Sequence, residues 1–236
     1  MDKPVDMARL VLLLALISWF GGLVQGVARP ATTYSLCQRR TENPLEGCPA
    51  GTLYVSNSEP RANYTSIQAA IAALPNDPAP SFILIAAGVY NEQLNVTRSG
   101  PLTLLGQSDN PWHEKSYSDV TYNTAAANGV QVYHNATNDN SRYPDNVYTG
   151  VITIGPTLNA TQTGAGPTGW PVPPGTPFGC SDFRAYNIDF RNELVPRSNG
   201  PAHAIGAGYA NAGFYSCGFY SYQDTVRYRG PRPSCG

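Results

Sequence analysis

The sequence has little charge and few of the side chains that hold metals. Only 13% of its 236 residues are charged, and 15 Lys and Arg against 16 Asp and Glu give a net charge of -1. A chain without a basic field does not attract nucleic acid or an anionic membrane, so neither is expected as a partner. It has only three histidines, which are scattered, and no Cys-x-x-Cys pair. These counts predict no metal site and no cofactor.

Long apolar runs are also scarce, and the one that stands out lies near the N-terminus. Lys3 and Arg9 precede an apolar run at residues 10–20, and Gly26 and Ala28 supply the small residues that a signal peptidase prefers. The alternative is a membrane anchor, but a spanning helix needs roughly 20 apolar residues. The pattern favours a cleaved signal peptide, and hence a secreted, extracellular protein with no membrane attachment after cleavage.

Sequons and cysteines agree with a secretory route. Four Asn-x-Thr glycosylation sequons begin at Asn63, Asn95, Asn135 and Asn159. The five cysteines would meet an oxidising compartment, where Cys37 and Cys48 could close a small N-terminal loop. An odd count leaves at least one thiol unpaired.

Glycine, proline and tyrosine are frequent in this sequence. With 23 Gly, 21 Pro and 15 Tyr, the composition favours short strands joined by tight turns, in an all-β domain. Strand-like runs begin at residues 82, 102, 151, 183 and 214, and their spacing resembles the coils of a solenoid. The spacing therefore predicts a parallel β-helix, with a β-sandwich as the alternative.

One short helix and two loops complete the predicted elements. Residues 65–68 form a capping-box pattern, and Ile67, Ala70, Ile71 and Leu74 follow at helical spacing until Pro75 ends the run. The polar segment at residues 107–150 and the Gly/Pro/Thr-rich segment at residues 157–177 are predicted to be long surface loops flanking a groove.

The most informative block for chemistry is the aromatic segment at residues 213–225. It leads directly to Gln223 and Asp224, an amide hydrogen-bond donor beside a group that can give or take a proton. On its own, this pair is more typical of a turn that caps a strand. The aromatic side chains before it could stack on sugar rings if exposed, although strand aromatics usually belong to a core; they are Phe214, Tyr215, Phe219 and Tyr222.

Four segments together resemble the pectin methylesterases, of the fungal kind. They are Gly-Val-Tyr-Asn-Glu at 88–92, Leu-Thr-Leu-Leu-Gly at 102–106, the Phe-to-Asn run at 183–192 and Phe-Tyr-x-Cys-x-Phe-x-x-Tyr-Gln-Asp-Thr at 214–225. The order matches over residues 64–225, which is more specific than any single segment.

The resemblance implies a right-handed parallel β-helix that removes methyl esters from the galacturonate units of pectin, the expected partner. In such an enzyme one carboxylate attacks the ester carbonyl while a second donates a proton to methanol and then activates water. Residue by residue, Asp224 matches the general acid/base and Gln223 an oxyanion-hole glutamine. The same resemblance implies structural roles for Tyr90 and Glu92.

Two departures from the family pattern stand out. Pro201 occupies the position of the family's first glutamine, and the nearby His203 is a possible substitute donor. No residue matches the nucleophilic Asp or the orienting Arg, because the chain ends 11 residues after Thr225. The sequence therefore predicts a C-terminally truncated, weak or inactive pectinesterase, with a non-catalytic pectin-binding module as the alternative.

The sequence is predicted to form a monomer and to be organised in four segments. A signal peptide occupies residues 1–28, an N-terminal extension 29–60, a partial β-helix 61–226 and an atypical tail 227–236.

Overall fold

A computed structural model describes residues 34–109, 111, 127–139, 142–161, 174–193 and 200–229. The predicted signal peptide at 1–28 lies outside the described residues, as does the tail from residue 230 onward. Among the described residues, no helix has the length and apolar character that crossing a membrane requires.

Short strands are the main regular elements of the described chain. They are β1 (Leu53–Val55), β2 (Ser81–Ile85), β3 (Gly88–Asn91), β4 (Leu94–Val96), β5 (Leu102–Gly106), β6 (Val130–Tyr133), β7 (Ile152–Ile154), β8 (Phe183–Tyr186), β9 (Ile188–Arg191), β10 (Ile205–Gly208), β11 (Ala212–Tyr215), β12 (Gly218–Tyr220) and β13 (Val226–Arg229). The helices are α1 (Ile67–Ala73), α2 (Leu158–Thr161) and a 3-10 turn at Asn146–Thr149. The predicted all-β class, with few helices, is confirmed.

The strands pair in parallel in three sheets. Sheet A has the order β1-β2-β5-β8-β11, sheet B the order β12-β9-β6-β3 and sheet C the order β13-β10-β7-β4. From β2 onward the chain visits A, B and C in turn, so each set of three strands forms one coil that pairs with the coil before it. We number these coils 1 to 4, from β2–β4 to β11–β13.

The core lies between the three sheets and is built from residues that stack at equal positions in successive coils. In sheet C, Leu94 pairs with Ile152 and Ile152 with Ile205. In sheet B, Val132 pairs with Phe190, whose ring stacks on Phe219 at 5.8 Å between centroids. Each coil therefore buries its apolar side chains against its neighbours, which is the reason why strict polar-apolar alternation is absent from the sequence.

Several strands lie where the sequence predicted none. β1 lies inside the segment assigned to an N-terminal extension and pairs with β2. β13 pairs with β10 and continues through Arg229, inside the segment assigned to a tail. β6 lies within the predicted surface loop at 107–150 and pairs with β3 and β9. That segment is therefore part of the second coil rather than a loop throughout.

Two of the predicted runs each form two strands. Asn187 and Ser216 separate β8 from β9 and β11 from β12, and their φ angles are 54° and 53°. This left-handed conformation turns the chain sharply, and Asn adopts it more readily than most residues. The bend moves the chain from sheet A to sheet B within one run.

Helix α1 covers the apolar core beside strand β4 and buries the predicted face at Ile67, Ala70 and Ile71. Its N-cap is Ser66, whose hydroxyl accepts from the backbone N–H of Ala69 at 3.2 Å, and not the predicted Thr65. The helix ends at Leu74, before Pro75, as predicted.

A disulfide-bonded segment covers the outer face of sheet A. Cys37 and Cys48 are bonded, which confirms the predicted small loop. They pack in a second apolar cluster with Tyr54, Leu84 and Tyr186 on the outer face of the sheet. Sheet A is therefore covered on both faces, in contrast to a sheet that faces solvent on one side.

Candidate functional site

Gln223 and Asp224 lie in the turn that leads from sheet B to sheet C in coil 4, between β12 and β13. Both side chains are exposed. Coil 3 fixes the backbone of this turn: the N–H of Ala202 donates to the carbonyl of Gln223 at 3.2 Å, and the N–H of Ala204 donates to that of Thr225 at 3.0 Å. The amide and the carboxylate therefore project to solvent from a fixed backbone.

Asp224 is exposed and has a left-handed backbone conformation. Its φ is 56°, in the left-handed region that Asn and Asp tolerate better than most other residues. The hydroxyl of Ser221 donates to the carbonyl of Ala202 and fixes the start of the turn. Tyr222, the aromatic residue within the turn, is 50% exposed.

A stack of aromatic and charged side chains lies on sheet B next to this turn. Arg191 pairs with Tyr133 on one side and Tyr220 on the other, and its guanidinium lies 5.6 Å and 3.9 Å from their ring centroids. Glu193 accepts two hydrogen bonds from Arg191 at 3.0 Å each. Burial by itself lowers the pKa of Arg191, but the ion pair with Glu193 more than offsets this, and the pKa is raised.

A fully buried carboxylate, that of Asp189, contacts the arginine of this stack. Asp189 accepts from Nδ2 of Asn128 at 2.6 Å and from its backbone N–H at 3.0 Å, and it pairs with Nη1 of Arg191 at 3.4 Å. Burial, and then the charge of Asp189, raises the pKa of Tyr220. Tyr220 is the residue immediately before the turn, so these contacts fix the strand from which Gln223 and Asp224 project.

Pro201 and His203, where the sequence departs from the family pattern, lie in the neighbouring turn of coil 3. Pro201 is half-buried, and the side chain of His203 is turned inward and only 1% exposed. The backbone N–H of His203 donates to Oγ1 of Thr149. The structure thus places His203 one residue beyond the partner of Gln223 but keeps its ring away from solvent, where a donor to a bound ester would have to be.

Asn192 is a site residue whose role the sequence did not predict. It is fully buried in the turn after β9, and its Nδ2 donates to the carbonyls of Ala136, Thr149 and His203 at 2.8–3.0 Å. Its Oδ1 accepts from the N–H of Ala136 at 3.0 Å. Asn192 ends the segment at 183–192 that carries the family resemblance, so the sequence did mark this position. The inward orientation of its side chain depends on the geometry of the coils.

Tyr90 and Glu92 have structural contacts, as expected. The hydroxyl of Tyr90, which is 2% exposed, donates to the carbonyl of Ala86 at 2.9 Å. Glu92 accepts from the N–H groups of Ile67 and Gln68 at the N-terminus of α1. The Gly-x-Tyr-x-Glu segment therefore joins coil 1 to the helix.

Of the four strand aromatics, two belong to the core. Phe214 and Phe219 are half-buried and pack against the core, with centroids 5.1 Å apart. Tyr215 and Tyr222 are 46% and 50% exposed. Tyr215 stacks on Tyr186 on sheet A, so Tyr222 is the exposed ring beside the candidate pair.

Sequence comparison relates this chain to fungal enzymes. No family model matches it. It is 31% identical over 179 residues to pectinesterase A of Emericella nidulans, an alignment that covers 75% of this chain and 42% of that protein. This chain resembles the fungal pectinesterases over that alignment.

Further comparisons give the same resemblance. The chain is 27% identical over 205 residues to a probable pectinesterase A of Neosartorya fischeri, covering 86% of this chain and 50% of that protein. The crystal structure of an Aspergillus niger pectin methylesterase, with an N-acetylglucosamine stub, superposes with a TM-score of 0.52 at 25% identity, covering 76% of this chain and 46% of that one. The chain thus spans about half the length of the curated pectinesterases that it matches.

Proposed function

We propose that this chain carries part of a pectinesterase active site, in which Asp224 is the general acid/base and Gln223 donates to the oxyanion. The observation that carries the proposal is the turn at Gln223 and Asp224. Both side chains are exposed, and hydrogen bonds from coil 3 hold their backbone. The order of the three sheets supports the predicted parallel β-helix, for which we propose the right-handed sense that the resemblance implies.

The chemistry assigned to this pair is the hydrolysis of a methyl ester of galacturonate. A nucleophilic carboxylate adds to the ester carbonyl, the C–O bond to methanol breaks, and Asp224 gives its proton to the departing methoxide oxygen. Ionised Asp224 then takes a proton from the water that attacks the acyl-enzyme, which frees the acid and the nucleophile. The amide of Gln223 stabilises the negative oxygen in both steps.

The other parts of the site have no match within these 236 residues. No residue matches the nucleophilic Asp or the Arg that orients it, and Pro201 replaces one amide donor. Arg191 is already paired with Glu193 and Asp189. We therefore propose that a polypeptide of these residues alone is weakly active or inactive.

The setting proposed for the protein is extracellular. Four sequons and the N-terminal apolar run support a secreted glycoprotein. We propose that it acts as a monomer on methyl-esterified pectin in plant cell walls. No cofactor enters the proposed reaction.

The test is a chimera in which the C-terminal half of a fungal relative follows Thr225. We expect methanol release from methyl-esterified pectin, loss of nearly all of it in Asp224→Asn, and a fall of about 10²–10³ in kcat in Gln223→Ala. Asp182→Asn, the matched change in an ion pair on sheet A, should keep full activity. Full activity of Asp224→Asn would show that the acid/base is another residue.

A second function, pectin binding without hydrolysis, is supported by the ring-and-guanidinium stack of Tyr133, Arg191 and Tyr220 beside the turn. It predicts that the 236-residue chain sediments with pectin and leaves its methyl content unchanged. Methanol release by the chain alone would favour the enzyme instead.

A further inference from the structure

A cleft lies between helix α1 and the end of strand β4, on coil 1 and away from the turn at Asp224. Its volume is about 350 Å³, at the small end of the range for ligand clefts, roughly 300–1,000 Å³. One wall is apolar, from Ile71, Ala72 and Leu74 of the helix and its C-cap. The other is polar and is lined by Gln68, Asn76, Asn95, Thr97 and Arg98. An apolar wall facing amides is suited to a sugar ring, which has an apolar face and a polar edge.

Both defining residues of one glycosylation sequon line this cleft. They are Asn95 and Thr97. Oδ1 of Asn95 accepts from Oγ1 of Thr153 at 2.6 Å, and its backbone N–H donates to Oε1 of Gln68 at 2.7 Å. With Oδ1 engaged, the amide is held in one orientation. Nδ2, the atom that carries an N-linked sugar, donates no hydrogen bond to any residue that the structure describes.

A buried arginine fixes the polar wall of the cleft beside the sequon. The side chain of Arg98 is only 4% exposed, and its terminal nitrogens donate to backbone carbonyls that include those of Pro101 and Ala79. Its Nε has no partner among the described residues.

The other sequons have different surroundings. Oδ1 of Asn63 accepts from the backbone N–H of Tyr54, and that of Asn135 accepts from the N–H of Glu193, in exposed positions. Asn159 is exposed in α2, and neither it nor the other two lines the cleft. A glycan at these three positions would extend into solvent.

We propose that Asn95 carries an N-linked glycan whose first N-acetylglucosamine lies in this cleft and holds helix α1 against strand β4. The inference rests on the secretory route proposed above and is independent of the esterase chemistry. The sugar fills the cleft with its apolar face on Ile71 and Leu74, and the rest of the glycan leaves towards solvent.

The experiment uses the full chain secreted from a eukaryotic host. Glycopeptide mass spectrometry should find Asn95 occupied. Thr97→Ala, which removes the sequon but keeps the bond from Thr153 to Asn95, should lower Tm by about 2–4 °C, the shift for roughly 1 kcal/mol in a chain of this size. Thr97→Ser keeps the sequon and should keep Tm. Thr65→Ala, the matched change at the exposed Asn63 sequon, should also keep it.

Trimming the glycans to a single N-acetylglucosamine tests the role of the first sugar. We expect trimmed protein to keep the Tm of the untrimmed form, and backbone amides of Ile67–Ala73 to exchange faster in Thr97→Ala than in Thr97→Ser. An unmodified Asn95 in secreted protein that is glycosylated elsewhere would overturn the inference and leave the secretory route standing. Secreted protein with no glycan, or equal Tm values for Thr97→Ala and Thr97→Ser, would overturn it as well.

Discussion

Removing the carboxylate of Glu92 should destabilise the protein through the N-terminus of helix α1. Its two oxygens accept from the backbone N–H groups of Ile67 and Gln68 at 3.0 and 2.9 Å and from the hydroxyl of Ser66 at 2.7 Å. These are donors that the first turn of a helix leaves without partners, and the negative charge lies at the positive end of the helix dipole.

The expected loss follows from these three bonds. A hydrogen bond to a charged group contributes about 1.5–3 kcal/mol and a helix N-cap about 0.5–2. Since Glu92 is only half-buried, water replaces part of what is lost, and we expect Glu92→Ala to reduce the free energy of unfolding by about 2 kcal/mol. In a domain of this size that lowers Tm by roughly 4–8 °C. Glu92→Gln keeps one acceptor oxygen and should lose about half as much.

The assay is thermal unfolding followed by circular dichroism, with urea unfolding at 25 °C as a second measure. Glu59→Ala is the control, because Glu59 has the same side chain in an exposed pair with Arg61 and should leave Tm unchanged. Ser66→Ala and Glu92→Ala together should lose less than the sum of the two single changes, because the residues contact each other. If Glu92→Ala unfolds at the same temperature as the control, the helix-capping role is refuted.

Three further changes and one activity assay test other parts of the structure. Burial raises the pKa of Tyr90 to about 12, so its contribution is complete below pH 10 and lost as the pH rises through 12; urea unfolding should therefore depend less on pH in Tyr90→Phe over that interval. Gly218→Ala places a Cβ 2.5 Å from Oδ1 of buried Asp189, and its urea midpoint should show a loss of at least about 2 kcal/mol; an unchanged midpoint would contradict the packing. Asn192→Ala, which removes four buried hydrogen bonds, should cost about 3 kcal/mol and speed amide exchange in both adjoining loops, and exchange confined to one loop would argue against the shared contact. The purified 236-residue chain should release no methanol above a blank, and robust turnover would disprove the proposed inactivity.

The parts of the fold that could be predicted from sequence are those with a local signal. Helix α1 was found because its apolar residues recur at helical spacing before Pro75, although its N-cap lies one residue later than predicted. Strands β2, β5 and β7 were found because both faces are covered and their sequences are largely apolar. Such runs are typical of parallel sheets.

The strands that were missed have weak local signals. β6, with the sequence Val-Gln-Val-Tyr, sits in a polar segment, and β10, with the sequence Ile-Gly-Ala-Gly, is mostly glycine and alanine. Their pairing partners in adjacent coils define them, and those partners are far away in sequence. The family motif located Gln223 and Asp224 because it is a local signal. The contacts of Arg191 and Asn192 involve residues of other coils, so they could be identified only from the register of the strands.

The buried amide of Asn192 has a consequence for protein engineering. By binding carbonyls at Ala136, Thr149 and His203, it fixes the two ends of one loop and the far end of the next. The first of these loops also buries Val147 completely, so it packs against the scaffold between its two anchors. We therefore expect a graft that replaces this loop to preserve the register of the strands only if it keeps both anchors and an apolar residue at position 147.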